Sequence, residues 1–218
     1  MKKALIVYGG WAGHEPAEVS ELFEQILTEE GVEVTRSDKL ESFLEDLTQY
    51  DLLIPVWTMG EGLPQGATDN ILKAVESGVG MAGCHGGMCD AFRNDTRWQF
   101  LTGSQWVAHP GNLVPYRVNI TSDSPLVAGL EDFDVTSEQY YIHVDPAVKV
   151  HATTTLTDFP GPHQANGKTV LPVVYTKMWG EGKVYYNSLG HVKAVFDIPQ
   201  AREMMRRGFL WAMRGEEK

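Results

Sequence analysis

The sequence predicts an α/β fold, a mainly parallel sheet with helices on both faces. Short, almost wholly apolar runs such as Lys3-Ala4-Leu5-Ile6-Val7-Tyr8 alternate with amphipathic helical patterns through the first half. Parallel strands buried on both faces read this way. Glycines sit at the ends of both kinds of run, where helix caps and strand-end turns need them. No linker, repeat or low-complexity tract interrupts the 218 residues. Residues 1–218 are therefore read as a single domain, long enough for a sizeable core.

The elements follow in order. The first strand, residues 3–8, ends in Gly9-Gly10. A helix runs from Pro16, with Val19, Leu22, Phe23, Ile26 and Leu27 on one stripe and Glu18, Glu21, Glu24 and Glu29 away from it. Gly31 stands at its C-cap. Residues 32–35 form the second strand, and Leu40, Phe43, Leu44 and Leu47 predict a second, shorter helix. Residues 51–56 are a third buried strand, residues 67–77 a third helix closed by Gly78, and Val79 begins the fourth strand. The second half is richer in strand patterns, over residues 114–120, 147–155, 168–176 and 183–189. A helix over residues 200–213, with Met204, Met205, Phe209, Leu210 and Trp211, ends the chain.

Composition narrows the function. A net charge of −11 without a basic stripe argues against nucleic acid and against an anionic membrane surface. The apolar run after Lys2-Lys3 is too short for a signal peptide, and no segment is long and apolar enough to span a bilayer. The two cysteines, Cys84 and Cys89, lie too close in sequence to staple a fold. Their small number points to a reducing compartment, and a cytoplasmic protein is expected. The last helix and Met178-Trp179 are candidate surfaces for a homodimer.

In parallel sheets, sites form beyond the carboxyl ends of the strands. That rule selects residues 9–15, 57–61 and 84–90. Of the seven histidines, His14, His85 and His191 each follow a strand and its glycine turn, and His109 lies in a loop ending in Pro110-Gly111. A structural histidine is the default for any one of them; several at strand ends point to a shared site. Imidazoles that are neutral near pH 7 carry protons or bind a transition metal. No H-x-H or H-E-x-x-H pair is present, so a divalent metal such as zinc on His14, His85, His109 and His191 would need ligands from distant segments. Glu138, beside Tyr140 and Tyr141, is the carboxylate candidate. Trp11, Trp57 and Trp106 suit packing against a sugar ring, although core packing is the ordinary fate of a tryptophan.

Taken together, Gly9-Gly10-Trp11-Ala12-Gly13-His14, Pro55-Val56-Trp57-Thr58-Met59-Gly60, Gly78 to Gly87, Leu101 to Pro110, Ser137-Glu138-Gln139-Tyr140-Tyr141 and Leu189-Gly190-His191 resemble the ThuA-like (trehalose utilisation) family. The resemblance runs in family order over nearly the whole chain. It implies a class I glutamine amidotransferase-like fold, a flavodoxin-like three-layer sandwich, with an exposed residue at a strained strand-to-helix elbow. Gly83-x-His85-x-Gly87 centres that elbow on His85, as in ThuA-like proteins, and sends Cys84 back into the core. His191 is followed by Val192-Lys193 rather than by the acid of an amidotransferase triad, so glutaminase activity is not expected. The family implies carbohydrate catabolism, with His14, His85, His109, Glu138, Tyr140 and His191 as the pocket.

The leading expectation is an enzyme acting on an oxidised sugar or glycoside by His/Glu acid–base chemistry, an isomerase or a lyase/hydrolase, with metal assistance as a variant. A non-catalytic sugar- or metabolite-binding module is the alternative. A cysteine hydrolase using Cys84, with His191 as base, is the least favoured.

Overall fold

The computed structural model describes residues 1–215. The first half alternates as expected: β1 (Lys3–Gly10), α1 (Pro16–Glu29), β2 (Glu33–Ser37), β3 (Leu52–Thr58), α2 (Ala67–Glu76) and β4 (Gly80–Cys84). Two short helices, α3 (His85–Cys89) and α4 (Thr96–Thr102), follow directly. The second half holds β5 (Ser104–Ala108), β6 (Leu113–Ile120), β7 (Phe133–Glu138), β8 (Tyr141–Val144), β9 (Lys149–Leu156), β10 (Thr169–Trp179), β11 (Gly182–Asn187) and α5 (Pro199–Ala212). β5 and β8 pair with each other; the other nine strands form one sheet in the order β2-β1-β3-β4-β11-β10-β9-β6-β7.

The sheet is less parallel than the sequence predicts. β2, β1, β3, β4 and β11 are mutually parallel. β10, β9, β6 and β7 extend the sheet by antiparallel pairing. The cause is connection length. Only Gly180-Glu181 separates β10 from β11, whereas a parallel pair needs a crossover of roughly a dozen residues or more. The helix expected across Leu40 to Leu47 is instead two 3₁₀ turns, Leu40–Leu44 and Leu47–Gln49. The Asp46 carboxylate accepts from the Thr48 N–H between them and starts a new turn rather than continuing the old one. Phe43 and Leu47 are still buried; Leu44 is exposed.

Side chains alternate across the strands, and each face has its own core. Ala4, Ile6, Leu52, Ile54, Ala82 and Tyr185 join Phe23 of α1 and Met204, Met205 and Phe209 of α5. Leu5, Val7, Leu53, Met81 and Tyr186 join Ile71 of α2, Met88 of α3 and Trp98 of α4. The Met204, Met205 and Phe209 stripe of α5 is therefore turned to the sheet, while Leu210 stays exposed. Met178 is exposed and Trp179 half-buried. No helix among the described residues is long and apolar enough to cross a membrane.

The same alternation turns Cys84 into the core, away from the elbow. Cys84 follows Ala82 on the α1/α5 face and is 2% exposed. Burial pushes its thiol up to about 12. The next residue, His85, has a φ of 47°. A non-glycine residue in that region costs on the order of 1–3 kcal/mol and needs its surroundings to hold it.

Mild alkylation at pH 8 should leave Cys84 unmodified in the folded protein and label it fully in urea, as read by peptide mass spectrometry. Rapid labelling of the native chain would restore the hydrolase reading. Phe209, fully buried against Phe23 with ring centroids 5.0 Å apart, should cost about 3–5 kcal/mol on Phe209→Ala. Leu210→Ala, at a 38% exposed position on the same helix, should change stability by about 0.5 kcal/mol or less in the same urea titration.

Candidate functional site

The site assembles where strands end. After β1, Trp11 donates its N–H to the Thr58 carbonyl at the end of β3 (3.1 Å), binding the first glycine turn to the neighbouring strand. The 3₁₀ turn Ala12–His14 then buries His14, with Nδ1 2.7 Å from Thr58 Oγ1. After β4 comes the elbow. A Cβ on Gly87 would stand 3.0 Å from Val56 Cα, so only glycine lets α3 lie against β3. A Cβ on Gly86 would meet His14 Cε1 at 2.8 Å and Tyr140 Oη at 2.9 Å, so this glycine is the space the site occupies. After β11, the Asn187 side-chain oxygen accepts from the Leu189 N–H (3.0 Å) and shapes the turn that carries Gly190 and His191. Glu138 is the last residue of β7, the far edge of the sheet.

These segments place three imidazoles around one carboxylate oxygen. From Glu138 Oε2 it is 3.1 Å to His85 Nε2, 3.3 Å to His191 Nδ1 and 3.6 Å to His14 Nε2. One donor atom from each of the four residues lies within 4.8 Å of every other. His85 is 1% exposed, and its ring stacks on Tyr140 with centroids 3.8 Å apart.

Hydrogen bonding sets the proton count. The Ser188 carbonyl, 2.8 Å from His85 Nδ1, can only accept, so Nδ1 carries the hydrogen. Burial pushes His85 down to about 4 against the upward pull of Glu138, so the ring is neutral near pH 7. Its Nε2 then presents a lone pair. Burial pushes the Glu138 carboxyl up, but the imidazoles of His14, His191 and His85 outweigh it and hold the group well below the usual carboxylate range. An ionised carboxylate and a bare ring nitrogen 3.1 Å apart require a proton or a cation between them. His191 Nδ1 is buried and makes no hydrogen bond among the described residues. A tetrahedral zinc ion with bonds of about 2.0–2.1 Å would set its ligand atoms roughly 3.3 Å apart. The 3.1–3.6 Å separations from Glu138 Oε2 match that spacing, and the widest donor separations, up to 4.8 Å, would have to shrink to reach it. The Ser188 carbonyl behind His85 and the Thr58 hydroxyl beside His14 are the kind of partners that fix ligating histidines in place. The donor set fits a divalent cation.

A cleft of about 540 Å³ lies over the cluster, walled by Trp11, Met59, Arg93, Trp106 and Asn112 and lined below by His14, His109, Glu138, Tyr140 and His191. Three expectations change. His85, expected to stand exposed at the elbow, is buried and lies beneath the cleft rather than in its lining. His109 does not join the donor set: its Nε2 faces the other oxygen, Oε1, at 3.8 Å, and its side chain is 30% exposed. Its place among the expected ligands passes to Glu138. Trp57 does not line the cleft; its ring packs over Gly9 and beside Gly60, filling the space their missing side chains leave. Trp106 does line it, but the Arg93 guanidinium covers its ring, 4.6 Å from the centroid. Thr58, Asp90, Arg93 and Asn112 are cleft residues that the sequence did not single out. Thr58 and Asp90 fall inside the strand-end windows; Arg93 and Asn112 carry no signal in a single sequence.

The chain matches the family model described as trehalose utilisation, ThuA, over residues 3–212. Among solved structures it resembles a ThuA-like protein from Parabacteroides merdae, with 19% identity and a TM-score of 0.75 over 100% of this chain and 92% of the other. A ThuA-like protein from Bacteroides uniformis gives 16% identity and a TM-score of 0.74 over 97% and 91%. A protein described as cytoplasmic from Salmonella typhimurium gives 10% identity and a TM-score of 0.65 over 99% and 100%. At these identities the likeness shows the fold. No curated protein matches. The family model covers all but the chain's ends, and the protein belongs to the ThuA family, named for trehalose utilisation.

Proposed function

We propose that the protein is an enzyme of carbohydrate utilisation that acts on an oxidised sugar or glycoside in this cleft, as an isomerase or a lyase/hydrolase. The observation that carries this reading is the convergence of His14, His85, Glu138 and His191 within 4.8 Å beneath an open cleft. Family membership supports the carbohydrate class. A divalent cation such as zinc on these four residues would supply Lewis acidity at a substrate oxygen. The remaining groups divide the work. His109, outside the donor set and half open to the cleft, takes or gives the substrate proton at Nε2. Tyr140 keeps its phenol hydrogen, because burial raises it well above its ordinary value, and donates to the oxyanion that forms when a proton leaves the carbon beside a carbonyl. On this reading His85 occupies the elbow of a glutamine amidotransferase-like, flavodoxin-like fold, the place a cysteine holds in the amidotransferases. A cytoplasmic location is in keeping with the description of the Salmonella neighbour.

The test pairs metal analysis of untagged protein with turnover of 3-keto-trehalose and 3-keto-glucosides followed by NMR. We expect about one divalent ion per chain, loss of turnover on chelation and its return on adding zinc. His85→Ala and His191→Ala should each lower both metal content and rate, the rate by roughly a hundredfold or more. Unchanged turnover in both variants would remove the site assignment. Tight sugar binding by calorimetry, with no product after long incubation, would make the protein a binding module instead.

A further inference from the structure

Arg93 is the one guanidinium in the cleft wall among the described residues, and it is held on two sides. Its Nε and Nη2 donate to the two oxygens of Asp90, Nη2 at 2.9 Å. Its flat face lies 4.6 Å from the centre of the Trp106 ring. Asp90 is 4% exposed, whereas the Arg93 side chain keeps 40% of its surface. The pair is therefore anchored at its acidic end and open at its basic end. The anchor is built into the site: the Asp90 N–H donates to the Gly86 carbonyl within the elbow helix, and the Asp90 carbonyl accepts from Met59 N–H at the end of β3. Arg93 Nη1 makes no hydrogen bond among the described residues.

A guanidinium offers only donors, so its free edge takes an acceptor oxygen. Stacking and the two-point contact with Asp90 remove most of its rotamer freedom before any ligand arrives, which lowers the entropy cost of binding. Its charge is already balanced by Asp90, which accepts from both Nε and Nη2. An anionic ligand group at Nη1 would lose its hydration without gaining an unpaired cation. We propose that Arg93 is the specificity-determining donor of the cleft, binding through Nη1 a neutral acceptor oxygen, a carbonyl or hydroxyl of the substrate, and discriminating against carboxylated or phosphorylated sugars. This rests on the reading of the cleft as a sugar site.

Calorimetry on the full chain as purified tests it, with trehalose and 3-keto-trehalose as neutral probes and glucuronate and glucose 6-phosphate as anionic ones. The wild type should bind at least one neutral probe, and the anions about tenfold more weakly or worse. Arg93→Ala should weaken the neutral ligand roughly ten- to a hundredfold. Arg93→Lys should fall nearly as far, because lysine keeps the charge but loses the planar fork. Both variants should retain wild-type metal content. Arg93→Ala should melt lower because it leaves the buried Asp90 carboxylate unpaired, so Arg93→Lys, which keeps a cation beside Asp90, separates loss of the donor from loss of the fold. Asp90→Asn, which leaves the guanidinium charge unbalanced, should narrow or reverse the preference for neutral over anionic sugars. Neutral binding unchanged in Arg93→Ala, or anions bound by the wild type as tightly as neutral sugars, would overturn this proposal alone. No binding of any probe by the wild type would overturn the sugar-site reading and this proposal with it.

Discussion

The Glu138 carboxylate, buried among three imidazoles, is the constraint on which the site depends. A charged group out of water is tolerated only when its neighbours replace the lost hydration. Here the replacements come from the turn after β1, the elbow after β4 and the turn after β11. Each of those turns must close for the carboxylate to be satisfied. The strained His85 backbone, the side-chain-free space at Gly86 and the Asn187 contact to Leu189 all serve that closure. Rigid strands set the coarse positions, and local hydrogen bonds set the final ones.

The mixed sheet is what brings Glu138 there at all. Four antiparallel strands added beyond β11 carry the chain to the far edge, and β7 ends in the carboxylate. The chain then turns into β8, which pairs with β5 and sets Tyr140 against His85 and His109 beside the cleft. A purely parallel sheet would have supplied the histidines without their partner. The antiparallel half therefore completes a site that the parallel half begins.

Most of the first half was legible because apolar periodicity there is strong and α1 and α2 are followed by Gly31 and Gly78. Leu40 to Leu47 failed for a local reason: the stripe was real, but Asp46 captured a backbone N–H and divided it into two turns. The short helix α4 and the strands β5, β7 and β8 were missed, since five to seven residues hold too little periodicity to stand out and β8 has only four. The strand-end rule located His14, His85 and His191 without any contact information. His109, read from a loop, was expected among the ligands and Glu138 only as the acid–base carboxylate. The cluster holds Glu138 instead, because which of two candidates reaches a common point depends on distances of an ångström or two.

By itself the sequence determined the alternation of strands and helices, the elbow centred on His85, the burial of Cys84 and the gathering of histidines at strand ends. These are local properties, written in residue spacing and in the conformations that glycine allows. The tertiary structure alone decided that half the sheet is antiparallel, that Glu138 and not His109 completes the cluster, that Trp57 is packing, and that Trp106 supports Arg93. Those outcomes turn on which distant segments meet and at what separation. Short-range electrostatics and close packing change sign or strength over such distances, and one-dimensional spacing does not encode them.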